Sequence, residues 1–210
     1  NTEEISFHKN VTFLMGENGC GKSTLLEALA TAYGFNPQGG TANYRFSAYN
    51  DVSCLNTAVK LVKGYKRPQS SYFFRAETFF DLAVKAKDYN SIYGDRDLHC
   101  QSHGESFLAF FTSFQGEGLY IMDEPEAALS PERQLTLLLH IHKRAEEGSQ
   151  FIIATHSPIL SALPGGEIYT FTDQNITPQK YEDTESYKVT KMLIEGGRDF
   201  LTRIIKEFKS

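Results

Sequence analysis

Short apolar runs alternate with longer segments of helical periodicity along most of this 210-residue chain. The run Val11-Thr12-Phe13-Leu14-Met15 predicts a buried strand, and residues 24–30 begin a helix that we expect to end near Gly34. The same pattern returns later, with strand, helix, strand and a last strand predicted at residues 119–122, 131–147, 151–155 and 168–171. Such alternation predicts an α/β fold with a mostly parallel sheet flanked by helices.

The middle of the chain has a different pattern. Residues 41–76 are rich in aromatic residues, Val and Thr and contain turn signals at 64–68, which predicts an insert of antiparallel strands. Residues 77–116 predict a small helical subdomain, and residues 189–210 predict C-terminal helices. One face of the last helix is apolar, with Phe200, Leu201, Ile204, Ile205 and Phe208. We therefore expect residues 1–210 to form a single domain with these subdivisions.

Composition favours an ordinary folded domain in a reducing compartment. The hydrophobic content is 40%, the charged content is 22%, and no apolar run approaches the ~20 residues that a bilayer-spanning helix requires. Cys20, Cys54 and Cys100 are odd in number and widely spaced, which argues against disulfides and metal-binding cysteine pairs. These features predict a cytoplasmic protein without direct membrane insertion.

The net charge of -5 gives no general reason to expect nucleic-acid binding. One interval differs, because residues 52–76 contain no acidic side chain and five basic ones, Lys60, Lys63, Lys66, Arg67 and Arg75. A solvated face, a lip beside a ligand site and a contact with nucleic acid are all open interpretations of this interval.

The eight residues Gly16 to Ser23, GENGCGKS, match the phosphate-binding pattern G-x-x-x-x-G-K-[ST] and stand between a predicted strand and a predicted helix. In such a loop the backbone N–H groups surround phosphates, Lys22 reaches the β- and γ-phosphates, and Ser23 binds Mg²⁺. The motif predicts ATP or GTP binding. The expected nucleotide-binding residues are Asn18, Gly19, Cys20, Gly21, Lys22, Ser23 and Thr24.

Two polar groups follow the next predicted strands. Asp123 and Glu124 come directly after the apolar run 119–122, and His156 follows the run 151–155. Because ligands of open α/β sheets gather at the carboxyl ends of strands, we expect Asp123 to hold Mg²⁺ through water. Glu124 is then placed to act as general base, and His156 to bind the γ-phosphate or the attacking water. An acidic turn and a structural histidine are the alternatives.

The order of these motifs resembles the ATPases of the ABC class, and within it the branch of SMC, Rad50 and RecF-like proteins often grouped as AAA-family ATP-binding proteins. GENGCGKST resembles the Walker A motif, LYIMDEP the Walker B motif, residues 127–130 the D-loop, and ATHSP the His switch. The resemblance covers roughly residues 11–171. It implies a P-loop NTPase fold of ABC-ATPase type, ATP and Mg²⁺ as cofactors, and hydrolysis of ATP to ADP and phosphate.

The resemblance also implies a signature motif that contacts the ATP held by a second subunit. The candidate is QSHGE at residues 101–105, in which Ser102 and Gly104 match the family positions and His103 and Glu105 depart from them. A plain helix N-cap is the alternative interpretation of these residues. Glu77 stands where the family has a glutamine that senses Mg²⁺, although an acidic residue at that position also favours the first turn of a helix.

These features together predict an ATP-dependent, head-to-tail homodimer that acts as a mechanical switch, in DNA-related or defence processes and with a further protein partner. The interval between Ser23 and Ser102 has no heptad pattern, so we expect a stand-alone head without a coiled coil. The alternatives are the ATP-binding subunit of an ABC membrane transporter and a binding switch that hydrolyses ATP slowly.

Overall fold

The computed structural model of the chain describes residues 4–41, 58–65, 67–79, 103–113, 116–172 and 175–208. Within these ranges, the strands are β1 (Val11–Gly16), β2 (Gly40–Thr41), β3 (Ser70–Arg75), β4 (Gly118–Asp123), β5 (Gln150–Ala154), β6 (Glu167–Phe171) and β7 (Ile176–Gln179). The longer helices are α1 (Lys22–Tyr33), α2 (His103–Ser113), α3 (Pro131–Glu146) and α4 (Glu185–Phe208). Short 3-10 turns occupy Pro125–Ala128, Leu160–Ala162 and Tyr181–Asp183.

All of these strands belong to one sheet, in the order β2-β3-β4-β5-β1-β6-β7. The five central strands are parallel, and only the edge strands β2 and β7 pair in the antiparallel direction. This topology confirms the predicted α/β fold with a mostly parallel sheet. The predicted strands at residues 11–15, 119–122, 151–155 and 168–171 all correspond to strands of this sheet.

The strand β3 corrects one expectation about the middle of the chain. The aromatic run at 72–74 was assigned to an antiparallel insert, whereas β3 pairs in parallel with β4 and only β2 lies antiparallel to it. Tyr72, Phe73 and Phe74 are all buried, so both faces of the strand are covered, which is typical of a central parallel strand. Residues 42–57 lie outside the described residues, and the division of the domain stays a prediction.

The hydrophobic core forms two layers, one on each face of the sheet. Phe13, Phe74 and Phe151 face the layer that includes α2 and α3, where the rings of Phe74 and Phe107 lie 4.3 Å apart. Leu14 points the other way, into the layer against α1. Because neighbouring residues of a strand point to opposite faces, each central strand contributes to both layers. The sheet is thereby fixed between helices on both sides.

This packing places three loops at one edge of the sheet. Strands β4, β5 and β1 are neighbours, with Asp123 opposite Ala154 and Leu14 opposite Ala154 in the register. Backbone hydrogen bonds continue past the strand ends, from Glu124 N–H to Ala154 O at 3.0 Å and from Thr155 N–H to Leu14 O at 3.1 Å. The segments after β1, β4 and β5 therefore begin side by side.

The last helix, α4, contains a break at Gly197, where φ is 59° and ψ is -164°. The predicted apolar stripe is present, and Phe200 in it is half-buried, but its other side chains are exposed, from 40% at Leu201 and Ile204 to 92% at Phe208. None of the described helices combines the length and the apolar character that crossing a bilayer requires.

Candidate functional site

The loop between β1 and α1 requires glycine at its first and last positions. At Gly16, φ is 139° and an added Cβ would lie 2.6 Å from the carbonyl oxygen of Phe171. At Gly21, which precedes α1, φ is 97°. Side chains with a Cβ rarely adopt these angles, so the sequence pattern reflects the backbone path itself. Asn18 and Gly19 lie exposed at the tip of this loop.

Lys22 lies inside the loop, with only 4% of its surface exposed. Its ammonium group donates to the carbonyl oxygens of Gly16 and Glu17, each at 2.8 Å. A third contact, with the thiol of Cys20 at 3.8 Å, is weak. One hydrogen of the buried ammonium is therefore free for a stronger acceptor such as a phosphate oxygen.

The N-terminus of α1 opens onto the same loop. Gly21 provides no side-chain cap, and the hydrogen bond from Leu25 N–H to Gly21 O, at 2.9 Å, closes the first helical turn. The N–H groups of Lys22, Ser23 and Thr24 precede that bond and lack an intrahelical acceptor. The positive end of the helix and these donors suit a bound anion.

Ser23 and Asp123 meet across the cleft between α1 and β4. The Ser23 hydroxyl donates to Asp123 Oδ1 at 2.9 Å, although the two residues lie 100 positions apart in the chain. A hydroxyl and a carboxylate beside a phosphate-binding loop are hard oxygen ligands of the kind that Mg²⁺ prefers. The donor set therefore fits Mg²⁺, and the roles of Ser23 and Asp123 as its ligands stay a prediction.

Burial raises the pKa of the Asp123 carboxyl, which is 7% exposed. The hydrogen bond from Ser23 and the charge of Arg75 partly oppose this effect, whereas the nearby carboxylates of Glu124 and Glu77 add to it. These surroundings disfavour the ionised carboxylate, because its negative charge is desolvated and has acidic neighbours. A bound cation would reverse that preference.

We expect Asp123→Asn to raise the melting temperature of the nucleotide-free protein by a few degrees. The folded pKa lies above the unfolded value, so the folded state binds more protons between the two, and stability falls as the pH rises through that window. The neutral amide removes this cost at pH 7. Thermal unfolding in EDTA measures the change.

The same substitution should abolish the additional stabilisation that Mg²⁺ gives in the presence of ATP, because an amide is a poor substitute for a carboxylate at a metal site. Replacing the exposed Asp199 with asparagine is the matched control. It should leave the melting temperature in EDTA and the melting temperature with ATP and Mg²⁺ near the native values. A lower melting temperature of Asp123→Asn in EDTA would contradict the account of the buried charge.

Glu124 and His156 face each other at the adjoining strand ends. Glu124 has φ 49° and ψ 52°, and it is the single non-glycine residue with positive φ among the described residues. The Nε2 atom of His156 lies 3.7 Å from Glu124 Oε1 and has no hydrogen-bond partner within the described part of the chain. Backbone strain of this kind is concentrated at functional sites, so the geometry supports a functional role for this pair.

Arg75, which the sequence groups with the basic interval at 52–76, is in contact with a residue of this site. Its guanidinium donates to Glu27 Oε2 at 2.9 Å and Pro37 O at 3.0 Å, and its Nε lies 3.8 Å from Asp123 Oδ2. It is therefore not part of an exposed basic face, although Lys60, Lys63 and Arg67 are exposed. The feature of the sequence that could have indicated this position is that Arg75 directly follows the buried run 72–74 at the end of a strand.

Two predicted site residues lie at the margin of the described site or beyond it. The Glu77 side chain is 85% exposed and lies 4.0 Å from Arg75, so its role at the metal stays a prediction. Ser102 lies outside the described residues, and Gly104 belongs to the first described turn of α2. The predicted helix began at Ser106, whereas the described helix already includes His103. Contact of Ser102 and Gly104 with a second subunit's ATP stays a prediction.

Two family models match the chain. One is described as an AAA domain and matches residues 1–124, which is more than half of the chain. The other matches residues 105–162, and its description associates an AAA domain with the AbiEii toxin and a type IV TA system.

Solved structures with similar folds include SMC heads and ABC transporter subunits. The SMC head domain from Thermotoga maritima is 14% identical, with 84% of this chain and 92% of that chain covered and a TM-score of 0.48. The cbiO1 protein from Clostridium perfringens, part of the ABC transporter complex cbiONQ, is 20% identical. The match covers 98% of this chain and 90% of that chain, with a TM-score of 0.47. The Smc head domain from Pyrococcus furiosus is 24% identical. The match covers 48% of this chain and 26% of that chain, with a TM-score of 0.35.

Proposed function

The chain belongs to the AAA domain family, and on that basis we propose that it is an ATPase of the SMC and RecF-like branch of the ABC class, which closes into a head-to-tail homodimer around MgATP. The observation that carries the proposal is the meeting of three features at one sheet edge. They are the buried Lys22 in its glycine loop, the Ser23–Asp123 pair and the Glu124–His156 pair.

Binding uses the loop and the start of α1. The unpaired N–H groups of the first helical turn and the free hydrogen of Lys22 donate to phosphate oxygens. Ser23 and Asp123 hold the metal ion, which when bound neutralises charge on the β- and γ-phosphates. The contact between Lys22 and the thiol of Cys20 is replaced by a charge-assisted hydrogen bond, which is shorter and stronger.

Hydrolysis requires a base beside the γ-phosphate. Glu124 accepts the proton of the attacking water, and His156 Nε2, which is 3.7 Å from the carboxylate, donates to the water or to the γ-phosphate. The positive φ of Glu124 turns its carboxylate away from the strand direction and toward the imidazole. Both side chains keep part of their surface exposed, 44% and 39%, whereas the Nε2 atom of His156 is buried in the single chain, so the ring must turn before this atom reaches a ligand.

Dimerisation supplies the remaining side of the site. Ser102 and Gly104 of a second copy contribute N–H and hydroxyl donors to the γ-phosphate, so two nucleotides are shared between two chains. Loss of the γ-phosphate removes this bridge and loosens the pair, which makes the cycle a switch. The exposed Lys60, Lys63 and Arg67 favour DNA as a ligand of that switch.

The dependence of turnover on protein concentration tests this proposal. Because each active site needs two chains, the rate per chain should rise as the protein concentration increases through the dimer dissociation constant, and then level off. A phosphate-release assay at saturating MgATP measures this rate. A constant rate per chain over a hundredfold range, or no turnover at all, would contradict the proposal.

The same assay distinguishes the processes in which the switch could act. Addition of double-stranded DNA should raise the rate, and the increase should be lost at high salt because counterions compete for the phosphates. The triple variant Lys60→Gln, Lys63→Gln, Arg67→Gln should keep the basal rate and lose the increase. Copurification of a membrane protein with the native chain would instead favour a transporter subunit.

A further inference from the structure

A second acidic residue, Glu126, lies beside the catalytic pair and has no assigned role. It belongs to the 3-10 turn Pro125–Ala128, directly after Glu124. Its Oε1 accepts a hydrogen bond from the backbone N–H of His156 at 2.7 Å, across 30 residues of sequence. Its Oε2 is buried and has no hydrogen-bond partner within the described part of the chain. A buried polar atom without a partner is costly, so the placement of this side chain against one backbone amide requires an explanation.

The backbone hydrogen bond matters because the imidazole ring is not fixed by hydrogen bonds of its own. Nε2 of His156 has no such partner among the described residues, and its distance to Glu124, 3.7 Å, is too long for a hydrogen bond. The orientation of the ring is therefore set mainly by the backbone from which it projects. A charge-assisted hydrogen bond to that backbone is roughly twice as strong as a neutral one.

A second connection joins the same two segments. The hydroxyl of Ser157 donates to Gln134 Oε1 at 2.6 Å, and Gln134 Nε2 donates to the carbonyl oxygen of Leu129 at 3.1 Å. The Ser157 hydroxyl also accepts from the N–H groups of Ile159 and Leu160, each at 3.1 Å. The turn that carries His156 is thus tied at two points to the segment after β4.

We propose that Glu126 is a positioning residue that aligns His156 with Glu124, and that it thereby makes hydrolysis depend on the conformation of residues 127–130. This inference rests on the proposed function, because those residues are the D-loop that would meet the second subunit. Ala127 and Ser130 are exposed in the single chain, so a partner can contact them. When this segment moves on dimer closure, Glu126 moves with it, and its hydrogen bond to the backbone of His156 shifts the imidazole.

The turnover of Glu126→Ala tests the positioning role. We expect kcat to fall about tenfold, which corresponds to the loss of one hydrogen bond, and KM for ATP to stay within about twofold. Glu126→Gln keeps an acceptor oxygen and should recover most of the loss. The control Glu132→Ala removes an exposed carboxylate from the first turn of α3 and should leave kcat unchanged.

The decisive comparison uses a second background. If Glu126 acts through His156, then Glu126→Ala should reduce kcat by less than about twofold when His156 is already replaced by alanine. An undiminished tenfold loss in that background would overturn the proposal. So would a rise in KM with an unchanged kcat, because that pattern reports nucleotide binding instead.

NMR of the nucleotide-free protein tests the same inference without turnover, and so separates its failure from failure of the proposed ATPase. In the native protein the His156 ring resonances should respond to Glu124→Gln, because the two side chains are adjacent. In Glu126→Ala the amide resonance of His156 should move upfield, because its hydrogen bond is lost. When Glu124→Gln is added to Glu126→Ala, the His156 ring resonances should no longer change. Both results should be close to native in Glu126→Gln. A ring that responds equally in all backgrounds would overturn the proposal even if ATP is hydrolysed.

Discussion

Replacing Lys22 with alanine should weaken the binding of MgATP by at least about a hundredfold. The ammonium group is buried within the loop and holds two carbonyl oxygens, so its loss removes the cation that we propose binds the phosphates and leaves Gly16 O and Glu17 O without that donor. Isothermal titration calorimetry with a non-hydrolysable ATP analogue measures the change.

The exposed Lys188 provides a matched control, because Lys188→Ala removes the same charge from a distant helix and should leave the affinity unchanged. Circular dichroism should confirm that both variants keep the native helix content. Retention of tight analogue binding by Lys22→Ala would show that the glycine loop is not the phosphate site.

Replacing Glu124 with glutamine should slow ATP turnover by at least about tenfold and leave ATP binding intact. The amide keeps the size of the side chain and the unusual backbone angles, but it cannot accept the proton of the attacking water. Single-turnover measurement of phosphate release separates this step from binding and product release. Unchanged turnover would refute the general-base role of Glu124.

Glu132→Gln is the corresponding control, since it removes an exposed carboxylate from the first turn of α3. His156→Ala should slow the same step and preserve binding, because the imidazole lies beside Glu124 and makes no described contact with Lys22 or Ser23. A loss of binding in either Glu124→Gln or His156→Ala would indicate that these residues support the fold of the site instead.

The fold was predictable where local sequence determined it. The apolar runs that form β1, β4 and β5 are buried on both faces, and the predicted site residues lie in or just after the ends of these strands. The glycine loop was equally clear, because positive φ at Gly16 and Gly21 leaves few alternatives. Parallel order then placed Asp123 beside Ser23, as expected from the rule that ligands gather at strand ends.

The parts that were not predicted depend on contacts between distant segments. The direction of β3 is decided by its pairing with β4, which no pattern within residues 70–75 records. Arg75 lies 48 positions from Glu27, so the sequence alone could not show that these two side chains form a hydrogen bond. The edge strand β7 is short and contains Pro178, which weakens any strand signal.

The role of Glu126 was hidden for a related reason. In the sequence it is one of two acidic residues that flank Pro125, and only the folded chain brings its carboxylate to the backbone of the neighbouring strand end. Side chains that form hydrogen bonds with backbone groups of a distant loop do not recur at regular intervals in the sequence. They become visible when the hydrogen-bond donors of each loop are traced to their acceptors.

The mass of Glu124→Gln in solution tests the central claim that two chains enclose ATP between them. Multi-angle light scattering of the purified variant should give the chain mass of 23.7 kDa without nucleotide and twice that value with saturating MgATP. The double variant Lys22→Ala, Glu124→Gln should stay at the single-chain mass in both conditions. A mass of 23.7 kDa for Glu124→Gln with ATP demonstrably bound would contradict the account.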